Sequence, residues 1–196
     1  MTSLAFRSIF SVGEKMLRAF ALLLAAMTLL AVDPAQAQGF NFGSLFGFGA
    51  IPRTVVSYPG RYPRGTIVIS TAERRLYLVL GNGQALKYGI GVGRDGFSWS
   101  GTHRITAKKE WPGWTPPAEM RARRPDLPRY LAGGIENPLG ARAMYLGSTL
   151  YRIHGSNEPE TIGHAVSSGC IRMTNEDVTD LYNRVSVGAT VVVMRN

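Results

Sequence analysis

The chain has 196 residues, a formal net charge of +9 and a pI near 10.1. That length suffices for one domain with a sizeable core, and 23 glycines favour turns and short strands over long helices. The charge serves solubility or suits an anionic partner; with no Lys/Arg-rich helix and no nucleic-acid motif, a carboxylate-bearing polymer fits better than DNA or RNA.

At the N-terminus, Arg7, Lys15 and Arg18 precede an apolar run, Ala19 to Val32, that is too short for a comfortable membrane span. Ala35-Gln36-Ala37 fits a small-x-small cleavage site. Residues 1–37 are therefore read as a secretion leader, with Gln38 as the first mature residue and no stable membrane span after cleavage. The alternative is an uncleaved anchor. Export gives weight to the single cysteine, Cys170, which has no second thiol to pair with. A lone thiol in an oxidising compartment is a liability unless it has chemistry to perform.

Residues 38–64 are read as a Gly/Phe-rich tether and lead-in that ends in Tyr-Pro turns. Strands then begin. Thr66 to Ser70 is β-branched, and Arg75 to Leu80 and Gln84 to Ile90 flank Gly81-Asn82-Gly83, a hairpin signal. Thr102 to Lys108 is the next strand, with His103 expected to pack or to hydrogen-bond at the surface.

From Trp111 to Pro128 five prolines forbid a regular strand. Ala118 to Arg124 is expected to make one or two helical turns behind Pro116-Pro117. Trp111 and Trp114, followed by Arg121, Arg123 and Arg124, form a lid over a carboxylate-bearing substrate or close the edge of the core; both roles are compatible. Ala141 to Leu146 and Thr149 to His154 are paired strand candidates. Period-two alternation puts Leu150, Arg152 and His154 on one face and Tyr151 and Ile153 on the other. Tyr145 and Arg152 thereby become candidates for lining or bracing a site.

The stretch 151–173, YRIHGSNEPETIGHAVSSGCIRM, holds Cys170 and two of the three histidines, His154 and His164. A thiol nucleophile needs a base to take its proton and donors to hold the oxyanion. His154-Gly155 closes a strand, which fixes a base better than the loop that carries His164. Gly169 permits a tight turn, so that amides around Ser168, Gly169 and Cys170 can face a carbonyl, with Ser167 beside them. Arg172 is either a clamp for a substrate carboxylate or half of an internal salt bridge. His154, His164 and Cys170 match no common zinc spacing, so neither metal nor other cofactor is expected.

Thr174 to Val185 is the clear helix, capped by Thr174 with Asp177 as box partner and striped by Val178, Leu181, Tyr182 and Val185. Ala189 to Met194 is a closing core strand. The fold expected is mainly β, a sandwich or barrel-like sheet assembly with one short C-terminal helix and a Pro/Trp-rich loop.

The order His154-Gly155, Ile162-Gly163, then Ser167-Ser168-Gly169-Cys170-Ile171-Arg172 resembles the signature of the L,D-transpeptidases, the YkuD-type enzymes. Two further blocks, GVGRDGFSWSGTHRITAK and NPLGARAMYLG, stand in the expected places, so the resemblance spans roughly residues 65–194. In the commonest form of the motif a histidine stands where this chain has Ser168. The resemblance implies a YkuD-like catalytic domain over residues 65–196, with Cys170 as nucleophile and His154 as base. The implied partners are peptidoglycan stem peptides: the thiol attacks the carbonyl of stem residue three, D-alanine leaves, and an amine from a second stem or an envelope protein resolves the thioester. Water as acceptor gives an L,D-carboxypeptidase, and a silenced site gives a wall-binding module. The leader implies a periplasmic or cell-envelope location.

Overall fold

A computed structural model describes residues 51–195; the expected leader and the tether up to residue 50 lie outside the described residues. The described chain is built on β1 (Thr54–Ser57), β2 (Ile67–Ser70), β3 (Arg75–Gly81), β4 (Gln84–Gly89), β5 (Val92–Gly93) and β6 (Gly101–Glu110). Helix α1 (Ala118–Arg123) leads to β7 (Arg142–Leu146), β8 (Arg152–His154), β9 (Ala165–Ser167) and β10 (Ile171–Arg172). Helix α2 (Asn175–Arg184) and β11 (Thr190–Met194) close it. Nine strands form one sheet in the order β1-β4-β3-β2-β11-β6-β7-β8-β10, and β5 pairs with β9 separately.

Local chemistry explains these elements. Asn82 and Gly83 take φ of 51° and 70°, the left-handed pair that a two-residue hairpin demands between twisted strands. β2 is buried at all four residues because β3 flanks it on one side and β11, in parallel register Ile67↔Val191, on the other. At β6 the sheet changes partners. Gly101 to Arg104 pair with β11, and Ile105 to Glu110 pair with β7, with an irregularity between Ile105 and Ala107. A long strand that serves two sets of neighbours is how a sheet folds over a shared core. That core draws Ile67, Leu76 and Tyr88 from one half and Met144, Leu146 and Ile153 from the other, each essentially inaccessible.

The expected helix stands where its apolar stripe requires: Val178, Leu181 and Val185 are buried and Tyr182 packs on the same cluster. Thr174 Oγ1 accepts the Asp177 N–H at 3.1 Å, while the Asp177 carboxylate meets Arg53 at 3.2 Å. Two local expectations change. Thr54–Ser57, in the stretch read as lead-in, is an edge strand that pairs antiparallel with β4. β8 starts at Arg152, so Tyr151 precedes the strand and is not held to the far face by alternation.

Candidate active site

β8 and β10 run side by side and in parallel, with Ile153 opposite Ile171 and Arg172 opposite His154. This ladder brings the two halves of the motif together. Cys170, immediately before β10, and His154, at the end of β8, both line one cavity of about 380 Å³. Pro117, Met120 and Arg123 of the α1 segment also line it.

His154 is 4% exposed. Its Nδ1 lies 2.6 Å from the Gly155 carbonyl oxygen, which fixes the proton on Nδ1 and leaves the Nε2 lone pair as the acceptor. Gly155 is required there, because a Cβ would run into Asn175 Oδ1, the atom that accepts the Ala141 N–H at 2.8 Å. Burial pushes the His154 pKa down to about 3; the Gly155 and Pro138 carbonyls pull it up, and the Arg172 and Arg152 charges add to the depression. Burial likewise pushes the Cys170 thiol up, against the opposing pull of Arg152 and Arg172. The resting pair is therefore thiol and neutral imidazole. The thiol faces the Leu150 carbonyl oxygen at 3.8 Å.

The turn that carries Cys170 is held from beneath. Gly169 has φ of 105°, a conformation open mainly to glycine. A Cβ there would strike the Tyr151 ring, which is stacked face to face on Trp99 at 4.3 Å and 4°. Trp99 Nε1–H donates to the Gly169 carbonyl at 2.7 Å. Ser167 Oγ donates to the Cys170 carbonyl at 2.6 Å and accepts the Gly169 N–H at 3.1 Å. Arg94, lying 4.4 Å over the Phe97 ring, donates to Ser168 Oγ at 3.3 Å.

Several sequence expectations are revised by this arrangement. The Gly169 N–H is taken by Ser167, so it is not a donor for an oxyanion; the Ser168 and Cys170 amides make no such bond among the described residues. Ser167 lines the cavity, but its hydroxyl is spent on the turn. Trp114 lines the cavity, whereas Trp111 lines a separate depression with Arg53 and Asn183 and so does not face Cys170. Tyr145 is not in the cavity wall; its ring backs the Arg152 guanidinium at 5.5 Å. Arg172 lines the cavity and is paired with Glu158 at 2.8 Å, the salt-bridge alternative. His164 is exposed and absent from the cavity wall, its backbone tied to Val92 and Thr161. His103 packs edge-on against Trp99 at 5.3 Å.

Trp99, Tyr151, Arg94 and Phe97 were missed as supports of the site. The glycine-flanked Phe97-Ser98-Trp99 was the available signal, two aromatics inside a turn-rich stretch with no strand face to fill. Among the described residues no cluster of His, Cys, Asp and Glu could hold a metal.

A mixed sheet that sets a pinned imidazole at the end of one strand and a thiol at the start of its parallel neighbour defines a β-rich domain with a single-cysteine site. The L,D-transpeptidase catalytic domain, YkuD, matches residues 64–193, and the chain belongs to this family. The probable L,D-transpeptidase YbiS of Escherichia coli K12 is 41% identical over 134 residues, covering 64% of this chain and 43% of the relative. The probable L,D-transpeptidase YcfS of the same strain is 36% identical over 142 residues, covering 67% and 44%. The chain thus spans less than half the length of these curated relatives. A Brucella melitensis structure described as a probable carnitine operon oxidoreductase is 47% identical with a TM-score of 0.50, covering 73% of this chain and 93% of that one. L,D-transpeptidase 3 of Mycobacterium tuberculosis shares the fold, with a TM-score of 0.52 at 19% identity over 68% of this chain and 62% of that one.

Proposed function

We propose that the protein is an exported peptidoglycan L,D-transpeptidase acting through Cys170. The observation that carries this reading is the shared cavity of Cys170 and His154, with Nδ1 of the imidazole pinned and Nε2 left to accept. A stem tetrapeptide enters with the carbonyl of residue three over Cys170. The sulfur attacks that carbon as its proton passes to His154 Nε2. The Ser168 and Cys170 amides hold the oxyanion, a contribution on the order of 3 kcal/mol per donor. The C–N bond then breaks, and His154 returns the proton to the leaving D-alanine amine. An acceptor amine attacks the thioester, loses its proton to His154, and releases a new amide and the free thiol. The neutral resting pair means that the proton moves during attack rather than before it.

The acceptor is a second stem, giving a 3→3 cross-link, or an envelope protein. Water in the same role gives carboxypeptidase activity. The net charge of +9 draws the enzyme to an anionic wall polymer, and the leader read in residues 1–37 delivers it to the periplasm or cell envelope. Among the described residues no helix is long and apolar enough to cross a membrane.

The test is intact-mass spectrometry after incubation with a tetrapeptide muropeptide, followed by product analysis with competing amine acceptors. A thioester on Cys170 with D-alanine release is the expected result. Binding without adduct or turnover would leave only a wall-binding module.

A further inference from the structure

We propose that Arg152 determines donor specificity by binding the terminal carboxylate of the leaving residue. This inference rests on the acyl-transfer reading above and adds the group that selects the substrate's end.

Two arginines stand near the thiol, and only one is uncommitted. Arg172 donates to Glu158 at 2.8 Å and to Thr161 Oγ1 at 3.4 Å. The Arg152 backbone is used in the sheet and beside Cys170, but its guanidinium makes no hydrogen bond or ion pair among the described residues, and its Nε is buried without a partner. Its one polar-independent contact is the Tyr145 ring, 5.5 Å behind it. A buried guanidinium N–H left unmatched is costly. Arg121 and Arg142 also bury an unmatched Nε, but of the three only Arg152 lines the Cys170 cavity, where a ligand can bring the missing acceptor.

Position points the same way. Arg152 lines the Cys170 cavity. The parallel ladder pairs Ile153 with Ile171, which brings the preceding residues, Arg152 and Cys170, together, and the Arg152 backbone and charge both act on the thiol. In a donor cleaved at its last peptide bond, the terminal carboxylate carbon is three bonds from the attacked carbonyl carbon, within about 4 Å of it. A cation that reads this carboxylate must therefore sit beside the nucleophile. Arg123 also lines the cavity, but it is exposed on α1 and leans on the Phe97 ring at 5.9 Å. The planar guanidinium matches a carboxylate through two parallel N–H···O bonds. An amidated or extended donor terminus forfeits that match and leaves the cation unpaired.

The experiment compares a tetrapeptide donor bearing a free terminal carboxylate with the same peptide carrying a terminal amide. Acylation of Cys170 is followed by mass spectrometry in wild type, Arg152→Gln, Arg152→Lys and Arg172→Gln. Wild type is expected to favour the acid by roughly 10–100-fold in kcat/KM, the range for a charge-assisted pair. Arg152→Gln brings the ratio to within about threefold, chiefly by raising KM for the acid, and Arg152→Lys gives an intermediate ratio. Arg172→Gln keeps the wild-type ratio. Both donors use the same thiol, so a general loss of reactivity cancels in the ratio. A preference that survives in Arg152→Gln, or one that vanishes in Arg172→Gln instead, overturns the proposal.

Calorimetric binding of both peptides to Cys170→Ala, with and without Arg152→Gln, separates the clamp from the reaction. Acid-selective binding that depends on Arg152 supports the clamp even where wild type turns over neither donor, and in that case it is the acyl-transfer reading that fails. Binding with equal affinity for acid and amide removes Arg152 from recognition.

Discussion

His154 makes the fold sensitive to mild acid, and the size of the effect follows from its burial. The perturbation is a fall in pH from 6.5 to 4.5. In the unfolded chain the imidazole takes up a proton near its ordinary value of 6.5; in the folded chain burial delays protonation until about 3. Across that window the unfolded state binds the extra proton, so stability is fully present above 6.5 and falls with pH until about 3. The full slope is about 1.4 kcal/mol per unit, but at pH 6.5 the unfolded imidazole is already half protonated, so the window costs about 2 kcal/mol. For a domain of this size that is a drop of roughly 5–10 °C in Tm. Asp180, held low by Arg184, loses its contribution only at more acid pH than this window, while Asp177, pushed up by burial, opposes the His154 effect. Both are common to wild type and to His154→Gln, which carries no titrating group at that position. The assay is therefore a double difference: thermal melts of both proteins at pH 6.5 and 4.5. Wild type should lose roughly 5–10 °C more than the variant. Parallel losses in the two proteins would refute the reasoning and place the imidazole in contact with solvent.

The remaining predictions concern the reacting groups. Cys170→Ala should abolish adduct formation while its melting point stays within about 2 °C of wild type, since the polar contacts of the thiol are a long one to the Leu150 carbonyl oxygen and one to the Arg152 backbone. His154→Gln should slow acylation by roughly 10²–10⁴-fold at neutral pH, and His164→Gln by less than about tenfold, because only the former lines the cavity; the opposite ranking would make His164 the base. Alkylation of Cys170 by iodoacetamide should rise with pH through a range above that of a free thiol, as burial directs, and a plateau already reached at pH 7 would contradict it. Gly169→Ala should cost about 2 kcal/mol or more from its positive φ and should also slow acylation in the folded protein, since Tyr151 cannot yield while stacked on Trp99. Unchanged melting and rates would free that turn of the constraint.

Much of this architecture was legible because local chemistry dictates it. The Gly81-Asn82-Gly83 turn, the β-branched runs of β2 and β11, and the stripe of α2 each declare their conformation within a few residues. The insertion of β11 between β2 and β6 did not, because strand order is settled by packing across the whole chain. β1 escaped notice since four residues between Pro52 and Pro59 carry little pattern, and pairing with β4 supplies what propensity lacks. In the site, Cys170 and His154 were readable from residue type and motif. The side of the fold reached by Trp111 was not: its φ of 40° and the proline beside it turn the chain away from the cavity that Trp114 joins. The pairing of Arg172 with Glu158, an acid fourteen residues upstream, was not legible because only the folded loop brings the two together.

The ladder between β8 and β10 separates length along the chain from distance in space. Cys170 and His154 owe their spacing to the pairing of Ile153 with Ile171, not to the segment that connects them. That segment is pinned again at Gly163, whose N–H meets the Ile90 carbonyl at 3.0 Å, and along β9. Between Gly155 and the short 3₁₀ turn at Pro159–Thr161, Asn157 and Glu158 are exposed. Residues can be added or exchanged at that bend while Cys170 and His154 keep their places. The rim of the cavity is thus free to diverge around a pair whose register it does not set.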